Sequence, residues 1–459
     1  MKRYRFTILF AVILAGLGAY LYIVELPGER AQVLTETQEK KILPFEMDEI
    51  TGLSVRSDQA EVVLAPGENR TWKITAPLQT GADSREVDSL LRALMLGKVS
   101  RVVEEKATAL APFGLEHPSA VLTISAGSRQ ETLSLGDAGP ISATLYAMRA
   151  SDRTVLLTDL TPRVFLNKTL VTFRDKQVLR FDQTKAERLR LAYPKTEIVL
   201  YQMAENDKKK WKIRAPLEAD ADQIAVRTLL FKLEDLKALG FIDPGPEHAA
   251  LTKKLTKPDA KITLHVDGAD RTVNLFQPDP ASGEAYAVTN AEAPIYRINP
   301  TIIKDLTKEV FALRDKRLLG IDLPDLAMLT VKTRGQQYAL INQNNAWVLE
   351  DQPGEKLKQE AVDLLVSRVV NLPAELRVTK REGPLAPYGL THPAAEFTAV
   401  AKDGKRHGRV ALGTHVGGLV YATGQGLPGI FQARADLLTQ IPAKSELLAT
   451  SAQPSSATP

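Results

Sequence analysis

The three tryptophans of this chain stand at nearly even intervals, and each begins a similar short phrase. Trp72, Trp211 and Trp347 divide much of a chain of 459 residues into stretches of similar length. The first two begin Trp-Lys-Ile-Thr-Ala-Pro and Trp-Lys-Ile-Arg-Ala-Pro, and the third begins a looser Trp-Val-Leu. Such a regular period indicates one unit used three times. A unit of roughly 140 residues has the usual size of a domain, so each copy can bury its own core.

Four apolar residues recur at the same offsets after each tryptophan, and they predict an amphipathic helix in every unit. Within each set the residues have the i, i+3, i+4, i+7 spacing of one helix face. Asp222 is placed to cap the second helix, and Asp83 with Glu86 resembles a capping box in the first. The residues are Val87, Leu90, Leu91 and Leu94; Val226, Leu229, Leu230 and Leu233; and Val362, Leu365, Val366 and Val369.

A turn motif is shared by the outer two units. Pro-Phe-Gly-Leu-Glu-His-Pro at residues 112–118 corresponds to Pro-Tyr-Gly-Leu-Thr-His-Pro at residues 387–393, whereas the middle unit keeps only Leu-Thr-Lys-Pro at residues 255–258. Glycine suits a left-handed position and the residue before proline is held extended, so we expect a structured turn that leads into a strand. Further on, Tyr146, Tyr286 and Tyr421 follow their tryptophans at nearly the same distance along the chain.

Alternating apolar segments surround these landmarks and predict short antiparallel strands. The stretch Phe-Arg-Asp-Lys-Gln-Val-Leu at residues 173–179 is repeated at residues 313–319 as Leu-Arg-Asp-Lys-Arg-Leu-Leu, and these stretches open units two and three. We interpret the Arg-Asp-Lys pieces as exposed, ion-paired turns. The predicted fold class is α+β: three homologous modules of mainly antiparallel sheet with packed helices, preceded by one N-terminal transmembrane helix. The modules are placed at residues 45–172, 173–312 and 313–448.

The N-terminus is predicted to be a membrane anchor. Lys2, Arg3 and Arg5 precede an uncharged run that begins at Phe6 and ends at Val24. As a helix this run spans roughly 28 Å, about one hydrocarbon thickness. A cleaved signal peptide is the alternative, but its apolar core is usually about 7–15 residues long and a small-residue cleavage site follows it.

The basic residues before the run place the N-terminus in the cytoplasm and the bulk outside, as a single-pass protein of a bacterial inner membrane. Residues 1–24 are then a cytoplasmic tip and anchor, and residues 25–44 form a juxtamembrane linker. Residues 449–459, rich in Ser, Ala, Thr and Pro, are predicted to form a disordered tail.

In their order and spacing these landmarks resemble the DUF4340 family, a domain of unknown function. The matching features are the Arg-Asp-Lys openings, the Trp-x-Ile-x-x-Pro strand, the aspartate-led helix, the Gly-Leu-x-x-Pro turn and the late tyrosine, and they cover most of residues 45–448. The resemblance implies an anchored extracytoplasmic protein without catalytic residues to transfer. Members are often encoded near ABC-transporter components resembling the gliding-motility type, which implies an accessory role.

The sequence predicts no catalytic, cofactor-binding or metal-binding residue, and no cofactor. The chain has no cysteine, and its six histidines lack the spacing of a metal-binding helix. His117 and His392 are repeat-equivalent, and we interpret them as turn residues rather than paired sites. Gly413 with Gly417 and Gly418 forms a loop without the helix that cradles a phosphate.

Two other features of the sequence could be interpreted as catalytic or binding sites, but a structural role is favoured for both. Adjacent carboxylates such as Asp48 with Glu49, and Glu234 with Asp235, are taken as solvated surface. The tryptophans could form a stacking platform for sugars or bases, but the apolar residue two positions on favours core packing.

We therefore expect a non-enzymatic, membrane-anchored extracytoplasmic accessory or scaffold protein of an ABC-type envelope transport system. Its partners would be the inner membrane, through the run from Phe6 to Val24, and proteins of a membrane complex. A net charge of +4 spread over the whole chain does not favour nucleic acid. The alternatives are a module that binds cell-wall glycan or lipid, and an enzyme with a site between modules.

Overall fold

A computed structural model describes residues 41–57, 61–205, 208–290, 293–344, 346–379 and 383–449. Within these ranges the chain forms three mainly antiparallel sheets with accompanying helices, so the α+β prediction of three modules is confirmed. None of the helices in this part of the chain is both long and apolar enough to cross a membrane. The predicted anchor at residues 1–24 and most of the predicted tail lie outside the described residues.

The first module is a nine-stranded sheet in the order β4-β3-β2-β1-β6-β7-β8-β9-β5. Its helix α1 follows β4 and precedes β5, the two edges of the sheet, and therefore crosses one face. The elements are β1 (Gly52–Ser57), β2 (Glu61–Pro66), β3 (Trp72–Ala76), β4 (Thr80–Gly81), α1 (Ser84–Leu96), β5 (Val99–Glu104), β6 (Ala120–Ala126), β7 (Arg129–Ala138), β8 (Leu145–Arg149), β9 (Val155–Thr158), α2 (Pro162–Phe165) and α3 (Leu170–Phe173).

The second sheet repeats this topology with the order β13-β12-β11-β10-β15-β16-β17-β18-β14. An extra helix, α5, stands where the outer modules have their glycine turn. The elements are β10 (Ala186–Tyr193), β11 (Thr196–Glu205), β12 (Lys208–Ala215), β13 (Ala219–Asp220), α4 (Gln223–Glu234), β14 (Ala238–Ile242), α5 (Pro246–Lys254), β15 (Ala260–Val266), β16 (Ala269–Phe276), β17 (Ala285–Val288), β18 (Ile295–Ile298), α6 (Pro300–Leu306) and α7 (Val310–Leu313).

The third sheet has eight strands in the order β21-β20-β19-β23-β24-β25-β26-β22, the same arrangement without a counterpart of β4. The elements are β19 (Leu326–Thr333), β20 (Gln337–Gln343), β21 (Ala346–Leu349), α8 (Gln359–Val370), β22 (Leu376–Thr379), β23 (Ala395–Ala401), β24 (His407–Val416), β25 (Leu419–Gly424), β26 (Leu427–Arg434), α9 (Asp436–Thr439) and α10 (Lys444–Leu447).

The chain divides into two compact units whose limits differ from those of the repeats. One unit contains the described residues up to Arg180 together with Asp235–Lys257 and Val273–Ile302. The other contains Phe181–Glu234, Pro258–Thr272 and the described residues from Ile303 onward. The first sheet belongs to the former unit and the third sheet to the latter.

The three tryptophans are core residues, as predicted. Trp72, Trp211 and Trp347 are only 8%, 7% and 3% exposed. The apolar face of α1 packs in the same cluster as Trp72, and that of α8 packs with Trp347. Burial of each large apolar side chain contributes about 1.5–3 kcal/mol to this packing. A stacking platform for sugars or bases would need exposed rings, so these tryptophans do not form one.

The first residue of each long helix binds the backbone of its tryptophan. Ser84 Oγ accepts a hydrogen bond from the Trp72 amide at 2.9 Å. Gln359 Oε1 accepts from the Trp347 amide at 2.9 Å, and its Nε2 donates to the Trp347 carbonyl at 2.8 Å. Gln223 makes the same pair of bonds with Trp211, at 2.8 and 2.9 Å. This clamp fixes the start of each helix beside the tryptophan strand.

The predicted capping box in the first module is only half formed. Asp83 caps α1 by accepting from the Glu86 amide. The Asp83 amide, however, donates to the Phe173 carbonyl at 2.7 Å and is unavailable to the Glu86 side chain. The Glu86 carboxylate instead pairs with Lys168 Nζ at 2.5 Å. In the second module, Asp222 caps α4 as predicted by accepting the amides of Ile224 and Ala225.

The glycine turn and the late tyrosine prove to be parts of one arrangement. Gly114 and Gly389 both have φ of 67°, which confirms the predicted left-handed turn. The ring before each glycine meets the tyrosine of the late strand: Phe113 and Tyr146 have centroids 5.2 Å apart. Tyr388 and Tyr421 are 4.9 Å apart. In the outer modules the turn ring thus packs on the late-strand ring, whereas in the middle module, which lacks the turn, the Tyr286 hydroxyl donates to Glu284 at 2.6 Å.

The openings of modules two and three pair with backbone on two sides. In the first opening, Arg174 forms a β-bridge with Ala82 beside β4, and Gln177 forms one with Lys237 beside β14. In the second, Arg314 bridges Ala221 and Arg317 bridges Pro373. We call residues 173–180 and 313–320 the opening segments. Each one is hydrogen-bonded both to the module that it follows and to the module that it begins.

The segments before the first module and after the third module form the same kinds of β-bridge as the opening segments. Lys41 bridges Lys98, and Ile42 and Leu43 are buried in the first core, so these residues at the end of the predicted linker pack with the first module. The rest of the predicted linker, residues 25–40, lies outside the described residues. At the other end Leu448 bridges Leu357, at the place that Arg174 and Arg314 take beside their modules. A closing segment therefore completes all three modules.

We predict that Gln359→Ala destabilises the third module by about 1–3 kcal/mol, because it leaves two backbone groups of Trp347 without partners. The measurement is the urea midpoint of the full-length protein, together with hydrogen exchange of residues 346–349. Leu364→Ala, at a half-exposed position of the same helix, is the control and should change stability by no more than about 0.5 kcal/mol. Equal effects of the two variants would contradict the clamp.

We also predict that Gly389→Ala is much more harmful than Gly404→Ala. Both glycines have positive φ, 67° and 66°, so each alanine costs about 1–2 kcal/mol of backbone strain. An added Cβ at Gly389 would lie 2.3 Å from Thr414 Oγ1, whereas Gly404 has nothing within 4 Å. Thermal unfolding should show at least about 1 kcal/mol of additional loss for Gly389→Ala. Equal losses would mean that the turn is not tightly packed.

Candidate functional site at the second opening segment

The second opening segment lines a cleft of about 1040 Å³, the larger of two described clefts. Its walls come from β13, the start of α4, the opening segment itself and the loop between α8 and β22. The lining is rich in charge of both signs, and its side chains include Lys210, Asp222, Arg314, Arg317, Asp322 and Arg406. What the cleft can do depends on which of these charges already have partners.

Arg317 is the centre of an ion-pair network at the wall of the cleft. Its Nε and Nη2 lie 2.9 and 2.6 Å from Oδ2 of Asp315, and its Nη1 lies 2.5 Å from Oδ1 of Asp322. These hydrogen bonds, led by those to Asp315, raise the pKa of the Arg317 guanidinium above its usual range. Bidentate pairs of this kind fix geometry as well as charge, so the network stabilises the local conformation of the opening segment.

Two carboxylates in the cleft, those of Asp322 and Asp325, are engaged by neighbouring donors. Burial raises the pKa of Asp322, but hydrogen bonding and charge from Arg317, with the charge of Lys210, outweigh it and leave the pKa lowered. Asp325 accepts from Arg406 Nη2 at 3.0 Å. Each carboxyl group with a shifted pKa in the described part of the chain is shifted downward, whereas a general acid at neutral pH needs a raised pKa.

The first opening segment corrects our interpretation of the Arg-Asp-Lys pieces as exposed turns. Arg174 is only 5% exposed. Its Nη1 and Nη2 lie 2.9 and 2.8 Å from the two carboxylate oxygens of Asp243, and its guanidinium carbon is 3.9 Å from the ring centroid of Phe241. The ion pairing was predicted, but the exposure was wrong, because the segment packs between two stretches of backbone. These partners lie far along the chain, where no local pattern connects them to Arg174.

Arg314 holds the same position in the second opening segment but has different neighbours. Within the part of the chain that the structure describes, its side chain forms no hydrogen bond and no ion pair. Burial and the charge of Arg377 lower its pKa, partly offset by Asp315 and Asp220. Asp220 pairs with Lys212 at 3.2 Å, and Asp315 pairs with Arg317. Arg314 therefore faces the cleft as a half-buried cation whose charged neighbours are already paired with others.

The second cleft, of about 620 Å³, gathers residues noted in the sequence. His392 and His415 both line it, together with Gly413 and Gly389. Gly413 lies within β24 and an added Cβ there would be 2.2 Å from the Tyr388 carbonyl oxygen, so its role is close packing under the turn. His117, the repeat-equivalent of His392, is exposed. No group of three or more His, Cys, Asp or Glu suited to a metal ion occurs among the described residues.

The adjacent carboxylates are surface groups, as interpreted. Asp48 is exposed, and Glu49 pairs with Arg129 at 2.6 Å. Asp235 is exposed and pairs with Lys237 at 2.8 Å. These residues do not line either of the two described clefts.

The repeated sheet, the tryptophan strand and the opening segments define a protein built from tandem α+β modules. The family model described as "Domain of unknown function (DUF4340)" matches residues 72–254 and 211–376. The chain therefore belongs to the DUF4340 family. Each match begins at a tryptophan and includes one opening segment, so the unit that the family model describes contains a junction between modules. No curated protein and no solved structure matches the chain.

We predict that the ion pair between Asp322 and Arg317 stabilises the protein at neutral pH and that this stabilisation is lost in acid. A carboxyl group whose pKa is lowered by folding contributes stability above its unfolded pKa of about 4 and loses it as pH falls through the folded value. Asp322→Asn should cost about 1 kcal/mol at pH 7, since the pair is partly exposed, and progressively less as the pH falls below the unfolded pKa of about 4. Urea unfolding at pH 7 and pH 3 measures this difference.

The matched background for this test is Arg317→Met. Without Arg317 the carboxylate of Asp322 loses its main donor, so Asp322→Asn should then have a much smaller effect at pH 7. An equal cost of Asp322→Asn in both backgrounds would refute the coupling.

Proposed function

We propose that the protein is a non-enzymatic accessory or scaffold subunit of an ABC-type envelope transport system, anchored in a bacterial inner membrane. The run from Phe6 to Val24 is the anchor, the N-terminus is cytoplasmic, and the three modules lie on the extracytoplasmic side. The basic residues before the run and its length support this orientation. The gene context that the family resemblance implies supports the link to transport.

The observation that carries the scaffold proposal is the backbone pairing of the opening segments. Arg174 and Gln177 tie one segment to two modules, and Arg314 and Arg317 do the same for the next. A chain whose modules are tied in this way carries repeated surfaces in one polypeptide, which suits the attachment of partners.

The alternative of a glycan-binding module finds less support. Sugar rings stack on exposed aromatic side chains. The three tryptophans are buried, and Phe113 and Tyr388 are occupied by contacts with the late tyrosines. Partner proteins are the better candidates for the repeated surfaces.

We predict that deletion of residues 6–24 releases the protein from the membrane and removes its membrane partners. Crosslinking in native membranes, followed by affinity capture, should recover an ATPase and a permease with the intact chain and neither with the deletion. The control replaces the run by an unrelated apolar span of equal length, which should restore membrane attachment. If the intact chain is captured alone after crosslinking, the scaffold proposal fails.

The orientation has its own test. A reporter enzyme that is active only outside the cytoplasm, fused after Ala449, should be active with the native N-terminus. Changing Lys2, Arg3 and Arg5 to glutamate should reduce that activity, because basic residues retain the N-terminus inside. Activity of a cytoplasm-only reporter at the same position would contradict the proposed topology.

A further inference from the structure

The solvent side of α1 carries two arginines on one stripe. Arg85, Ser89, Arg92 and Leu96 follow one another at spacings of three or four residues, so they lie along one side of the helix. The first three are exposed, and Leu96 is 77% exposed. The opposite side of α1 is the apolar face that packs in the first core. We call these four residues the arginine stripe.

The positive charge of the arginine stripe is not neutralised by the helix on which it lies. In the described part of the chain its two arginines form no hydrogen bond and no ion pair. The carboxylates of α1 are engaged elsewhere, because Glu86 pairs with Lys168 at 2.5 Å and Asp88 accepts a hydrogen bond from the ring of Trp72 at 3.0 Å. The guanidinium groups of the stripe are therefore available to an external anion.

Two exposed carboxylates near α1 weaken this charge without cancelling it. Asp48 lies in the helical turn of residues 47–49, which packs against α1. Asp159 accepts a hydrogen bond from the Lys98 amide at 2.6 Å, just beyond the end of the helix. The cation of Lys98 stands there with it, so the charges of these two residues offset each other. Against the two guanidinium groups of the stripe there remains the single carboxylate of Asp48.

The corresponding helices of the other modules do not carry this pair of cations. The three helices align without gaps, because their buried residues recur at the same offsets from the clamp residue. The positions of the two arginines are taken by two apolar residues in α4, and by a glutamate and a serine in α8. These residues are Ile224 and Phe231, and Glu360 and Ser367. The double positive charge thus distinguishes the first module from the other two.

The first module is also the one next to the proposed anchor, and the chain enters this module beside α1. Lys41 forms a β-bridge with Lys98, which follows the end of α1 at Leu96. Residues 25–40 separate Lys41 from the proposed anchor, and a chain of that length reaches at most about 58 Å. A helix of the length of α1 spans about 20 Å. The arginine stripe is therefore within reach of the membrane that would hold the anchor.

We propose that the arginine stripe of α1 docks on anionic lipid headgroups of that membrane. The inference rests on the proposed function, since it takes the anchor from Phe6 to Val24 as given, and it adds a second contact between the chain and the membrane. Guanidinium groups pair with phosphate oxygens, and basic residues close to an anionic membrane are attracted to its surface. The exposed side chain of Leu96 suits the boundary between headgroups and acyl chains. An acidic protein could meet the same charge, but the entry of the chain beside α1 favours the lipid.

The test uses the full-length protein reconstituted in lipid nanodiscs, and the lack of cysteine allows a single labelled position. Ser89→Cys carries a fluorophore between the two arginines, and a fraction of the lipid headgroups carries a nitroxide that quenches it on contact. Each basic residue near an anionic surface strengthens attachment roughly fivefold. We therefore expect at least about fivefold more quenching in discs with phosphatidylglycerol than in discs of phosphatidylcholine alone. Potassium chloride at about 1 M should remove the difference, because it shortens the Debye length to about 3 Å.

The matched controls place the probe and the charge changes on equivalent helices. Thr228→Cys puts the same fluorophore at the equivalent exposed position of α4, where phosphatidylglycerol should not increase quenching. Arg85→Gln with Arg92→Gln should abolish the increase at residue 89. Removal of two arginines from α4 and α8, by Arg227→Gln with Arg368→Gln, should leave it unchanged. Arg85→Lys with Arg92→Lys keeps the charge and should retain most of the increase, which separates lost attraction from a folding defect.

The outcomes separate the docking from the anchor. A protein that does not co-elute with the discs has no anchor in the proposed place, and the docking proposal then fails together with the proposed function. A protein that co-elutes, but whose residue 89 is quenched equally in both lipids or no more than residue 228, overturns the docking alone. A probe at residue 89 that is unaffected in the discs and changes only in native membranes identifies a protein partner and overturns the lipid assignment.

Discussion

The structure depends on backbone hydrogen bonds that each opening segment makes in two directions. A module of this fold leaves polar backbone groups beside the strand that precedes its long helix, at Ala82, Ala221 and Leu357. Buried amide and carbonyl groups need partners, and the chain supplies them from its next opening segment or, at the end, from Leu448. Since these bonds are to backbone rather than to particular side chains, the scheme survives the sequence differences among the three copies.

Much of the fold could be predicted from the sequence because its signals are local or periodic. The helix faces, the buried tryptophans and the left-handed glycines all follow from spacing and residue type. The clamp on the tryptophan backbone could not be predicted, since serine performs it in one module and glutamine in the other two. The burial of Arg174 was also missed, because its partners Phe241 and Asp243 come from a strand far along the chain. A run of charged residues in a sequence indicates an exposed segment, and burial by tertiary packing cannot be read from the run itself.

The candidate cleft was less predictable than the fold, for a related reason. Its wall is formed by residues of one opening segment that repeat those of the other, and repetition in the sequence suggests equal roles. The structure separates them: Arg174 pairs with Asp243 and stacks on Phe241, whereas the side chain of Arg314 forms no hydrogen bond or ion pair among the described residues. Function in repeated proteins is therefore to be sought where equivalent positions have unlike neighbours.

Because each module is closed by the segment that follows it, the order of synthesis affects how the chain folds as it leaves the ribosome. The edge of the first sheet beside Ala82 has no cover until Arg174 has been synthesised, and the edge beside Ala221 has none until Arg314 has followed. Uncovered strand edges are the sites at which chains pair wrongly with one another. Each module is thus complete only when its successor has begun, and the last is complete only when the C-terminal Leu447 and Leu448 have emerged. If synthesis stops between two modules, the last module made keeps an uncovered strand edge. When the whole chain is synthesised, the edges of all three modules are covered.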